Sequence, residues 1–278
     1  MAESSATPSA DASGAPAAPL ELIDSHCHVE MLDHPDGALA AAATAGVGMV
    51  VSVGIDLATS RQAVALAERG AGGASPRVAA TVGLHPHDAT QLDDRLLAAL
   101  EELAGRPGVV AIGECGLDFY RDLSPRDVQR CAFVAQIDLA RRVGLPLVVH
   151  TRDAGDETMQ LLARHAEGLT VVMHCFSLPA NVDECNARGY YASFAGNLTY
   201  NNAGDLRAAA ARLREDLLMV ETDAPFLTPA PYRGKPNGPA RVALTAAALA
   251  EVRGASLVHV AAATTANARR AFGLSAAT

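Results

Sequence analysis

Histidines at alternate positions are the first chemically suggestive feature of this chain: His26 and His28 in Asp24-Ser25-His26-Cys27-His28. On an extended strand alternate side chains share a face, so two imidazoles stand side by side and can chelate one cation. Cys27 then points to the opposite face, where a small buried thiol fits. Of nine histidines, six (His26, His28, His85, His87, His150 and His174) lie at or just beyond the end of an apolar run. His34, His165 and His259 fall in loops or helices. Glu114 follows Val-Val-Ala-Ile-Gly, where a carboxylate is costly unless paired or metal-bound. Asp223 follows the last apolar run, with Glu221 two residues earlier and so on the same side of a continuing strand. Taken singly, each has a plainer explanation: a satisfied histidine, a Glu114–arginine pair, or loop capping by Asp223 ahead of Pro225. Taken together, His26, His28, His150, His174, Glu114 and Asp223 end five separate runs. Gathered at one rim, they supply donors for two divalent cations with a carboxylate between them.

The elements that must position these side chains are short, β-branched apolar runs, each closing in a polar cluster. They cover residues 22–28, 47–54, 78–87, 109–119, 145–153, 169–177, 189–197 and 217–226. Near-continuous apolar character is that of a strand buried on both faces. Helical patterns lie between them, near 57–69, 92–104, 156–166, 180–188, 203–214, 239–253 and 256–272. Another opens at Ser124-Pro125-Arg126-Asp127, with Ser124 as cap, Pro125 in the first helical position and Asp127 completing a capping box. It runs to Arg142, and Gly144 stops it. Strand starts about 20 to 40 residues apart suit βα units. Eight of them predict an α/β fold, a TIM-type (β/α)8 barrel, slightly distorted, with its active site at the C-terminal ends of the strands. A doubly wound sheet is the alternative. The only lysine, Lys235, comes after the eighth run. A carboxylated lysine bridging two metals from a middle strand is therefore impossible, and Glu114 is the natural bridge.

Composition sets outer bounds. The chain has 278 residues, 50% hydrophobic and 19% charged, enough to bury a full core. No uninterrupted apolar run reaches the ~18 residues of a spanning helix, so no membrane partner is expected. A net charge of −9 argues against a broad basic surface that coats nucleic acid, though not against a small site whose cations supply positive charge. Five cysteines, an odd number, and the lack of a basic-then-apolar leader predict a reduced, cytoplasmic protein. Residues 1–19, rich in Ala, Ser and Pro, are expected to form a disordered tail ahead of one hydrolase barrel over 20–274. No obligate protein partner is evident.

The stretches DSHCHVE, GLHPHDA, GECGLDFYRD, PLVVHTRDA, HCFS, ETDAPFLTP and RGKPNGP resemble the TatD family of metal-dependent hydrolases and deoxyribonucleases, among the amidohydrolase-like barrels. NARRAFG is similar to the family's ending, and the resemblance covers roughly residues 22–273. It implies that His26, His28, Glu114 and Asp223 bind one metal and that Glu114, His150 and His174 bind a second. His85 would contact the scissile phosphate, and Arg152, Tyr120 and Lys235 the substrate. Asp223, Glu114 and His85 would be the catalytic residues. Two positions depart from the family pattern: Gly238 replaces a glutamate, and Leu178-Pro179 follow His-Cys-Phe-Ser where a glycine is usual.

The expected activity is metal-dependent phosphodiester hydrolysis, and the resemblance implies that it runs 3′ to 5′ on the 3′ end of DNA, single-stranded by preference. Two divalent cations make a water reactive, Asp223 orients it and accepts its proton, and His85 neutralises phosphoryl charge. Their element is left open among magnesium, zinc and manganese. The same water would attack a carbonyl carbon, so an amide or ester hydrolase, including a deacylase of mischarged transfer RNA, is the rival. A non-catalytic metal-binding barrel is the second.

Overall fold

A computed structural model of the protein describes residues 21–70 and 76–275, so the tail expected over 1–19 lies outside the described residues. Every apolar run contributes a strand: β1 (Leu22–Cys27), β2 (Val47–Val53), β3 (Arg77–Val82), β4 (Val109–Asp118), β5 (Leu147–Arg152), β6 (Val171–Met173), β7 (Tyr191–Phe194) and β8 (Leu218–Val220). Consecutive strands pair in parallel, in the order β1 to β8, which is the barrel and not the doubly wound sheet. Both faces of these strands are covered, as their Val, Leu and Ile content requires.

The helices are α1 (Pro35–Thr44), α2 (Leu57–Gly70), α3 (Asp94–Ala104), α4 (Arg126–Val143), α5 (Gly155–His165), α6 (Val182–Arg188), α7 (Gly204–Arg212), α8 (Val242–Arg253) and α9 (Leu257–Phe272). Helix α1 is an addition to the sequence reading. Its segment PDGALAAAAT is helix-forming through alanine but has no apolar stripe, so periodicity does not reveal it. The eighth helical pattern in the sequence is thus a ninth helix, α9, which packs against both β1 and β8. Among the described residues no single helix is long and apolar enough to cross a membrane.

Two local expectations change. Ser124 does not cap α4: its hydroxyl donates to the His87 carbonyl at 2.7 Å, and Pro125 precedes the helix. The runs over 169–177 and 217–226 yield strands of only three residues, because their polar ends leave the ladder. The seam between β8 and β1 is closed just past the end of β8. There Asp223 N–H donates to His26 O at 2.9 Å and His28 N–H to Ala224 O at 2.8 Å.

Candidate metal centre

Glu114 lies in the interior of β4, where the register against β5 shifts between Ile112 and Cys115. A bulge of this kind re-aims a side chain. The flanking glycines are required. Gly113 and Gly116 have φ of +138° and +142°, and a Cβ at Gly116 would overlap the His150 carbonyl oxygen. Glu114 N–H leaves the β5 ladder and donates to Gly54 O at 3.0 Å. Gly-Glu-Cys-Gly is therefore a backbone device that aims one carboxylate at the clustered imidazoles.

The two Glu114 oxygens face different imidazoles. Oε2 lies 3.3 Å from His26 Nε2 and 3.8 Å from His28 Nε2. Oε1 lies 2.9 Å from His150 Nδ1, 3.1 Å from His174 Nε2 and 3.6 Å from His85 Nε2. Asp223 joins the first group, its Oδ1 at 3.4 Å from His28 Nε2 and 3.8 Å from His26 Nε2. All six residues expected as ligands thus converge on one point, with His85 beside them. His174 stands between the two groups: its ring stacks on His26 at 3.7 Å, and it clusters with His26 and Asp223 as well as reaching Glu114.

Hydrogen bonds set the tautomers. His28 Nδ1 lies 3.1 Å from Val53 O and His174 Nδ1 3.0 Å from Glu221 Oε1, so each donates there and turns Nε2 to the centre. His85 Nδ1 accepts from His87 N–H at 3.2 Å, which leaves the proton on Nε2, facing the centre as a donor. His26 Nε2 and Glu114 Oε2 are buried without a hydrogen-bond partner. Buried polar atoms without partners are costly, and divalent cations held by nitrogen and oxygen donors would satisfy these. The donor set fits the group.

Charge follows the same layout. Burial works to raise the Glu114 carboxyl, but His174, His150 and His26 outweigh it and hold it well below the usual range. Burial opposes the charged form of His28, yet Asp223 and Glu30 prevail and raise it to about 10. His174 is raised in the same way, against burial, by Glu114 and Glu221, and His150 by Asp118 and Glu114. His85 goes the other way: burial dominates and keeps its imidazole neutral.

Several supporting residues escaped the sequence reading. Asp118, the last residue of β4, places Oδ2 at 2.8 Å from His87 Nε2 and 3.4 Å from His150 Nε2. Glu30 lies 3.7 Å from His28 Nδ1 and accepts from Ser52 at 2.9 Å. Asp24, fully buried, accepts from Thr222 N–H at 2.8 Å and from its hydroxyl at 2.6 Å, so it fixes the turn that carries Asp223 at φ +52°. Asn237 donates to Thr222 O at 3.1 Å and to Phe226 O at 2.5 Å, which braces the same turn. Asp118 was the most legible of these, four residues after Glu114 in one run; the others become visible only in three dimensions.

At the rim, Arg152 stacks over the exposed Tyr120 ring at 3.9 Å. Lys235 is exposed in the loop after β8; among the described residues no hydrogen bond or ion pair joins its side chain to the centre. Of the two departures from the family pattern, Gly238 is extended and leaves Asn237 in place, and Leu178 is buried against Gly155.

Comparison with known proteins agrees with this geometry. Residues 23–273 match the family model described as TatD related DNase. The chain belongs to the TatD family. It is 37% identical to the uncharacterized metal-dependent hydrolase YabD of Bacillus subtilis, over 90% of this chain and 98% of the relative. It is also 37% identical to TatD of Escherichia coli K12, described as a 3′-5′ ssDNA/RNA exonuclease, over 86% of this chain and 93% of that one. Among solved structures, the TatD homolog YjjV of Escherichia coli K12 superposes with a TM-score of 0.84 at 31% identity, covering 91% of this chain and 98% of its own. The TatD fold thus accounts for the barrel.

Proposed function

We propose that this metal-dependent hydrolase of the TatD family removes nucleotides from the 3′ end of single-stranded DNA, using two divalent cations. The observation that carries the reading is the division of Glu114: one carboxylate oxygen faces His26 and His28, the other His150 and His174. A carboxylate so placed could be shared by two cations, which would supply the Lewis acidity of a two-metal hydrolase. His26, His28, Glu114 and Asp223 would hold one, and Glu114, His150 and His174 the other. When bound there, the cations supply Lewis acidity, which makes water a usable nucleophile near neutral pH and offsets phosphoryl charge.

The chain's own side chains do the rest. Asp223 is kept ionised by His28, His174 and His26 against its burial, so it can orient a water and accept its proton. Neutral His85 presents Nε2–H to a phosphoryl oxygen and stabilises the charge that grows there. Arg152, with Tyr120, and Lys235 from the loop after β8, contact the incoming strand at the rim. The exonuclease described for the Escherichia coli relative supports the choice of substrate.

The test is hydrolysis of a 5′-labelled single-stranded oligonucleotide, screened beside acyl-tRNA and small amides. Wild type is expected to shorten the oligonucleotide from its 3′ end with magnesium, zinc or manganese. Asp223→Ala is expected to lose about 10²–10⁴-fold in rate. An oligonucleotide left intact with every metal, beside hydrolysis of an amide or acyl-tRNA, would replace this reading by the carbonyl one.

A further inference from the structure

Five large apolar side chains stand out of the described surface: Tyr120, Leu123, Phe226, Tyr232 and Val258. Val258 lies on α9; the other four follow β4 or β8, on the loops around the centre. In a chain with only 4% aromatic residues, such clustering at one mouth calls for a cause.

Phe226 and Tyr120 are the two whose surroundings tie them to the centre. Phe226 is 53% exposed, meets the His28 ring edge-on at 5.8 Å, and donates its N–H to Asp223 O at 2.8 Å. Tyr120 is 60% exposed and donates its N–H to Asp118 Oδ1 at 3.0 Å, while the other oxygen of Asp118 lies 3.4 Å from His150 Nε2. The Phe226 ring therefore meets an imidazole that faces Glu114 Oε2, while Tyr120 is tethered through its backbone to Asp118, whose other oxygen approaches an imidazole that faces Oε1. Arg152 covers one face of Tyr120 and leaves the other face for a planar ligand.

We propose that Phe226 and Tyr120 stack the two nucleobases on either side of the scissile phosphodiester, so that the mouth selects a 3′ end with two unpaired nucleotides. This rests on the nuclease reading and deepens it. Every base offers a π-face, so aromatic platforms hold a strand without reading its sequence. Two platforms set beside the centre grip a chain end without a long basic track, in keeping with a net charge of −9. A paired end is refused because its penultimate base is covered on both faces by the neighbouring pairs.

The experiment compares kcat/KM for two single-stranded oligonucleotides that differ only at the last two positions, which carry bases in one and are abasic in the other. Wild type is expected to prefer the base-bearing end by about tenfold or more. Phe226→Ala and Tyr120→Ala each reduce that preference about 5- to 10-fold, mostly through KM, and Phe226→Trp retains it. Equal rates on both ends in wild type, or a preference unchanged in both alanine variants, overturn this inference and leave the nuclease reading standing. Failure of wild type to cut either oligonucleotide with any divalent metal overturns both.

Discussion

Strands β4 and β8 each bring a carboxylate to the same imidazoles, and they do so by unlike means. β4 is ten residues long, buried throughout, and carries Glu114 within its length. β8 is three residues long, and its carboxylate comes three residues later, on a turn with positive φ. Glu114 is held by the sheet and by close backbone approach at its two glycines. Asp223 is held by side chains that reach over from elsewhere, Asp24 through Thr222 and Asn237 through the Thr222 carbonyl. The difference matches the tasks assigned to the two groups. A bridge between two cations must keep one position, whereas a group that takes a proton from water must be aimed at a point outside the sheet.

The largest effect that separates the two arms is at Glu114. Glu114→Gln keeps the shape and removes the charge on which both imidazole groups depend. Bound metal, read by elemental analysis, and hydrolysis are expected to fall together to background. A variant that retains both cations would show that Glu114 is not their bridge. Asp24→Asn attacks the other arm. It weakens the clamp on Thr222 and is expected to lower kcat about 10- to 100-fold, as outer partners of metal sites do, with the metal content of the β4–β5 side kept. Loss of metal on both sides would abolish the distinction between a sheet-held and a turn-held carboxylate.

The smallest effect is in protons. Without metal, His28 is raised to about 10 and His174 well above the usual imidazole range, so these two imidazoles carry protons at neutral pH, and His150 is shifted in the same direction. A cation accepts only a neutral imidazole lone pair, so loading must release protons and affinity must fall as pH falls. Calorimetric titration at pH 7.5 in two buffers of different ionisation enthalpy is expected to show net release. Equal heats in both buffers would contradict this.

The barrel was legible in the sequence because a strand buried on both faces leaves an unbroken apolar run, and eight such runs occur. The six proposed ligands were legible for the same reason: polar residues at the ends of such runs are few and conspicuous. Helix α1 was not, since an alanine-rich segment shows no stripe. Asp24, Glu30, Asn237 and His87 act through partners 15 to 198 residues away, and no spacing along the chain encodes those meetings. The cap expected of Ser124 failed on similar grounds, because the His87 carbonyl offered its hydroxyl another partner.

The seam has one last consequence. The bonds that join the two ends of the sheet, Asp223 to His26 and His28 to Ala224, involve the very residues that would grip cations. During synthesis the first strand emerges long before the turn that completes the ring. A nascent chain therefore owns two imidazoles of a chelate without its remaining carboxylate. Ion capture would then mark the moment at which the circle is joined, and ions should slow its reopening.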